Sequence, residues 1–142
     1  MKGHKIVVLA AVLAALTALT SAGAAYACSC VAPPPPKEAL AASDAVFTAT
    51  VLAIDTTQTN RQVRVRVESS WKGAKCGEMT IVTGLNDADC GYDFQVGTSY
   101  LIYADRNKGN LTTGICTRTT PTAQASEDLT ALGQPKTTCG QG

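Results

Sequence analysis

Six cysteines constrain this chain more than any other feature. Cys28, Cys30, Cys76, Cys90, Cys116 and Cys139 all follow an apolar leader and are spread across the rest of the 142 residues. An even cysteine number in a small exported domain reads as a disulfide framework, here three bonds, made in an oxidising compartment. Such bonds restrict the unfolded chain and so allow a modest core to hold one fold. Six cysteines allow fifteen pairings, and spacing alone does not choose among them. Zinc-ligand spacing is absent, because there is no CxxC pair and no histidine beyond the leader to complete a site.

The leader has the three parts of a secretory signal. Lys2, His4 and Lys5 form a positive start, Ile6 to Leu19 is apolar, and Ala25 and Ala27 give an A-x-A cleavage pattern. Residues 1–27 therefore read as a signal peptide and residues 28–142 as one exported domain. The apolar run is short for a membrane span of about 20 residues, and no second one follows. No transmembrane segment is expected after signal removal. Lipid attachment at Cys28 is the less favoured processing, since it selects an aliphatic residue and then a small one where Ala25 and Tyr26 stand. Cleavage after Ala27 puts the α-amine, carbonyl oxygen and sulfur of Cys28 at one terminus. An amine and a carbonyl oxygen on one residue can chelate a metal through a five-membered ring, and a disulfide from that residue would hold the ring rigid.

Charge and residue type exclude several functions. Losing Lys2 and Lys5 reduces the 12 basic residues to 10, against 11 acidic ones, for a net charge of −1. A near-neutral domain gives no support for nucleic-acid or membrane-surface binding. Arg64 and Arg66 lie on one strand face without interleaved aromatics, which reads as a solvated face. The sole histidine, His4, leaves with the leader, so no Ser-His, Cys-His or His-metal constellation remains. Asp87 and Asp89 stand in a turn-like stretch and read as solvated loop residues. The chain is expected not to be an enzyme and to need no cofactor of its own.

Periodicity gives the remaining elements. Four prolines, Pro33 to Pro36, impose a stiff extended path and suit the start of a short helix over Lys37 to Ala42. Ala45 to Ile54 is rich in apolar and β-branched residues and reads as a long strand. Val63, Val65 and Val67 alternate with Gln62, Arg64, Arg66 and Glu68, which marks a strand with one wet face that ends at Trp71-Lys72-Gly73. Further strands are expected over Glu78 to Thr83, Tyr100 to Ala104 and Leu111 to Thr117, the last two joined by a turn at Asn107 to Asn110. Thr122 to Leu132 reads as a helix stopped by Gly133. The pattern predicts a mainly β fold with flanking helices: a five-stranded, OB-like Greek-key barrel stapled by disulfides. A β-sandwich ranks second because it normally needs about seven strands.

Cys28-Ser-Cys30, the proline run, Ser43-Asp44-Ala-Val-Phe47, Trp71-Lys-Gly73, Cys90-Gly91, Gly97-x-x-Tyr-Leu-Ile102 and Cys116 occur in an order that resembles the tissue inhibitors of metalloproteinases. The likeness is to their netrin-like N-terminal domain and spans residues 28–142. It implies the disulfides Cys28–Cys90 and Cys30–Cys116, the latter to the last strand, and leaves Cys76–Cys139. Leu40-Ala41-Ala42 stands where that family carries a cysteine, and Cys76 is an addition. The resemblance further implies a secreted inhibitor, expected to be monomeric, whose partner is a zinc metalloprotease. Cys28 would bind the zinc, which belongs to the protease. Ser29 would enter the primary specificity pocket, with Cys30, Val31 and Ala32 along the cleft and Ala88, Asp89 and Cys90 beside them. The alternative is a netrin-like binding module of the cell envelope or extracellular space that inhibits nothing.

Overall fold

The computed structural model describes residues 28–140; the expected signal peptide and its cleavage motif lie outside the described residues. A short helix α1 (Pro36–Ala42) precedes strands β1 (Ala45–Thr56), β2 (Arg61–Lys72), β3 (Gly77–Thr83), β4 (Ser99–Asn107), β5 (Asn110–Thr112) and β6 (Thr120–Pro121). Helix α2 (Ser126–Leu132) and strand β7 (Thr137–Thr138) complete the order. Pro36 occupies the first turn of α1, where a missing N–H leaves no bond unmade.

Strands β1, β2, β3, β5 and β4 neighbour one another in that order, and β4 returns to pair with β1. This closes a five-stranded barrel of the OB-like kind, with β3 and β5 parallel and the other pairs antiparallel. β1 serves two neighbours: Val46 to Thr56 faces β2, and Ala45 to Thr50 faces β4. Three register shifts between β1 and β2 bend the strand so that it can do both.

The two-residue period sorts the side chains into two cores. Ala45, Phe47, Ala49 and Val51 of β1, Val63, Val65 and Val67 of β2, and Tyr100, Ile102 and Ala104 of β4 fill the barrel with Ile81 and Phe94. The intervening residues Val46, Leu101 and Tyr103 point outward, where α1 and α2 cover them together with Trp71, Ala39 and Ala125. Strand starts buried on both faces explain why β1 reads as a continuous apolar run. The Trp71 indole N–H donates to the carbonyl of Gly133 at 2.8 Å and ties the end of α2 to β2.

Two expected elements differ. The fifth strand stops at Thr112: after the Thr113 N–H makes a last bond to the Val82 carbonyl, the chain turns and the Ile115 N–H bonds the carbonyl of Cys90 instead. Cys116 consequently lies in a turn, not on the last strand. The single helix over Thr122 to Leu132 is instead a 3-10 turn (Thr122–Gln124) followed by α2. Between them, the Ala125 N–H closes on Thr122 and seats the Ala125 methyl in the outer core.

Candidate functional site

Two disulfides hold the N-terminal segment against the barrel. Cys28 bonds Cys90 with a Cα separation of 5.2 Å, and Cys30 bonds Cys116 at 5.0 Å. The third bond, Cys76–Cys139, joins the β2–β3 turn to the end of the chain beyond β7. The sulfurs of Cys28, Cys30 and Cys116 lie within 4.8 Å of one another, a cluster that could hold a metal if it were reduced. As disulfides these sulfurs are not thiolate ligands, and no free cysteine is present among the described residues.

The segment between the staples and the helix is open to solvent. Ser29, Cys30, Val31, Ala32 and Pro33 to Pro35 are exposed, while Cys28 is half-buried. Val31 is 87% exposed, an apolar side chain with nothing covering it. Among the described residues no internal hydrogen bond engages the backbone N–H groups of Ser29, Cys30, Val31 or Ala32. Arg118 anchors the far end of the strap by donating to the carbonyl of Pro34 at 3.4 Å.

The loop bearing Cys90 is a compact turn built from its own side chains. Asn86 caps a 3-10 turn (Asp87–Asp89), accepting from the Ala88 N–H, while the Asp89 carboxylate accepts from the N–H groups of Asn86 and Leu85 at 2.8 Å each. Those backbone donors hold the Asp89 carboxyl below its usual pKa although the residue is exposed. The charge of Asp89 is thus spent inside the loop. Cys90 adopts the left-handed conformation, with φ of 60°, and its carbonyl accepts from Ile115 at 3.0 Å. Gly91 has no room for a methyl group, because a Cβ there would strike the carbonyl of Gly84.

Of the residues expected at the site, the structure joins Cys28 to Cys90 and Cys30 to Cys116. Ala88 and Asp89 are exposed on the adjoining loop, and no hydrogen bond links them to Val31 or Ala32 among the described residues. Two neighbours have no sequence signature. Ile115, read as a strand residue, is 40% exposed on the turn between Cys90 and Cys116 and adds an apolar side chain beside the staples. Arg61 bonds the base of the Cys90 loop from the start of β2, a role that depends on strand register. An open cleft of about 560 Å³ lies elsewhere, lined in part by Thr50, Glu68, Ser99 and Thr138; the Glu68 carboxylate there accepts from the Thr50 and Ser99 hydroxyls.

A closed OB-like barrel with an extended strap stapled beside a hydrogen-bonded loop defines a small disulfide-bonded β-barrel protein. Residues 26–131 match the family model described as tissue inhibitor of metalloproteinase. The chain belongs to that family. No curated protein matches it.

Proposed function

We propose that the protein is a secreted, monomeric inhibitor of zinc metalloendopeptidases, exported by cleavage after Ala27 and active as residues 28–142. It acts as a stoichiometric plug and turns over no substrate. The Cys28 α-amine and carbonyl oxygen bind the protease's zinc at the position that a catalytic site leaves open for water. An α-amino group has a pKa of about 7.7–8.0, low enough for zinc to displace its proton near neutral pH. Ser29 enters the specificity pocket, Cys30, Val31 and Ala32 follow the cleft, and Ala88, Asp89 and Cys90 line the second edge.

One observation carries this reading beyond family membership. The segment that would enter the cleft is held at Cys28 and Cys30 yet leaves Ser29 to Ala32 exposed, with no internal partner for their backbone N–H groups among the described residues. A segment held in its bound shape loses little freedom on association. The apolar side chains of Val31 and Ile115 beside it supply surface to bury against a partner.

Intact-mass measurement of the secreted protein, followed by a metalloprotease assay on the same sample, tests the proposal. The expected mass begins at Cys28 without an acyl chain, and the sample inhibits with one-to-one stoichiometry. Adding one alanine before Cys28 then abolishes inhibition while circular dichroism stays unchanged. A mass beginning elsewhere ends the chelation mechanism. A native protein that inhibits nothing, with the extended form behaving like it in every assay, assigns the chain to the non-inhibitory binding modules; an extended form that inhibits as well as the native one ends the chelation mechanism.

A further inference from the structure

Arg61 closes the neck of the loop that carries Cys90. It opens β2 directly opposite Thr83, the last residue of β3, and its side chain is only 15% exposed. Its Nε donates to the carbonyl of Gly84 at 3.1 Å and its Nη2 to the carbonyl of Tyr92 at 2.8 Å. Nη1 bonds Asp93 Oδ1 at 3.1 Å. Gly84 and Tyr92 lie at the two ends of the loop, so one planar group bridges both sides of its base. The Thr83 hydroxyl accepts from the Tyr92 N–H at 2.7 Å and completes the closure.

We propose that Arg61 is a positioning residue for the zinc-binding terminus, an inference that rests on the inhibitor reading above. Any movement of the loop is passed to Cys28 through its bond to Cys90. Chelation tolerates little displacement: an error of about 1 Å in a reacting group can cost on the order of 100-fold. The fork geometry of guanidinium is what reaches two carbonyls at once; a lysine ammonium is a compact point charge on a flexible stem. Asp93 is 78% exposed, and an exposed ion pair contributes little. The positioning therefore resides in the two carbonyl bonds and not in the charge pair.

Inhibition constants for the native protein and for Arg61→Ala, Arg61→Lys and Asp93→Asn, measured with thermolysin and one matrix metalloproteinase, test this. Amide hydrogen exchange over residues 84–92 and urea unfolding accompany them. Arg61→Ala is expected to weaken inhibition about 10- to 100-fold, chiefly through faster dissociation, with faster exchange at Asn86, Cys90 and Gly91. Arg61→Lys stays weakened in the same direction, and Asp93→Asn remains within about twofold of native, since its ion pair is exposed. Native inhibition by Arg61→Ala overturns the proposal, as does a loss explained wholly by its unfolded fraction with loop exchange unchanged. A native protein that inhibits neither enzyme fails at the control, which removes the inhibitor reading and this inference with it.

Discussion

The sulfur of Cys28 lies 3.5 Å from that of Cys116, although each is bonded to a different partner. Sulfurs of Cys90 and Cys116 approach to 3.8 Å in the same group. The two staples therefore pack side by side and fix the Cys28–Cys30 segment at two adjacent points, one through the Cys90 loop and one through the Ile115-Cys116 turn. The Ile115 N–H bond to the Cys90 carbonyl ties those two supports to each other. Rigidity at Cys28 is thus a property of the pair.

Replacing Cys30 and Cys116 together by serine is expected to leave the Cys28–Cys90 bond and the barrel intact while weakening inhibition at least tenfold. The freed strap must be ordered on binding, at about 0.5–1.5 kcal/mol per immobilised side chain. Dissociation rates from surface plasmon resonance measure the change. An unaltered rate would mean that the second staple has no part in preorganisation.

Removing Cys76 and Cys139 should have the opposite profile. This bond closes a long loop, with a sequence separation of 63 residues, and its loss is expected to cost about 2–5 kcal/mol of stability. Inhibition measured below the new melting transition should stay within twofold, because neither cysteine supports the terminus. Urea titration and an inhibition assay at low temperature separate the two effects.

Inhibition should strengthen as pH rises from about 6 to 8. Zinc binds the neutral α-amine, whose ordinary pKa is about 7.7–8.0, so below that range the metal must displace a bound proton. The alanine-extended protein should fail to inhibit at every pH in this range. Inhibition constants taken at constant ionic strength across this range provide the check.

Acid stability should depend on the pair of half-buried Arg118 and buried Asp128 beside the strap, where Arg118 also bonds the Pro34 carbonyl. Arg118 donates to both oxygens of Asp128 at 2.7 Å, and the Tyr103 hydroxyl donates to Asp128 at 2.7 Å. Burial pushes the Asp128 carboxyl upward, but these donors outweigh it and hold the pKa below the usual carboxylate value. A depressed folded pKa adds stability above the unfolded value of about 3.9, and that stability is lost as pH falls through the folded value. Arg118→Ala strands the buried carboxylate and is expected to cost about 3–5 kcal/mol at pH 7. Asp128→Asn should flatten part of the acid limb of stability against pH, and chemical denaturation from pH 7 to pH 2 would reveal an unflattened limb if the pair contributes nothing.

Gly91→Ala should lower the melting temperature, since the new methyl meets the backbone carbonyl of Gly84, which cannot swing away as a side chain could. Gly97→Ala provides a contrast: nothing lies within 4 Å of a Cβ there, so its effect comes only from the positive φ of 83°. Differential scanning calorimetry of the two variants distinguishes collision from backbone strain.

Much of the barrel is legible locally because its signals are local. The valines at 63, 65 and 67 declare a strand with one buried face, and they do fill the barrel interior. Val46, Leu101 and Tyr103 show where that reading ends. They stand on the opposite face of their strands and are buried only because α1 and α2 fold over them. A strand running on from the Asn107–Asn110 turn to Thr117 would carry Cys116, yet the chain turns there and the Ile115 N–H bonds Cys90. That bond spans residues distant in sequence, and no pattern within a strand encodes it.

The sequence by itself determined the periods of the long strands, the short helix after the prolines, that six cysteines make three bonds, and the family, since each is carried by residue type and order along the chain. Tertiary structure decided how β1 closes on β4, and that Arg61 meets the carbonyls of Gly84 and Tyr92. It also decided that two staples pack sulfur against sulfur beneath an exposed Ser29 to Ala32. These relationships depend on register and closure, which bring together groups that are far apart along the chain. A local pattern can state which face of a strand is apolar; only the closed barrel states what that face, or its edge, will meet.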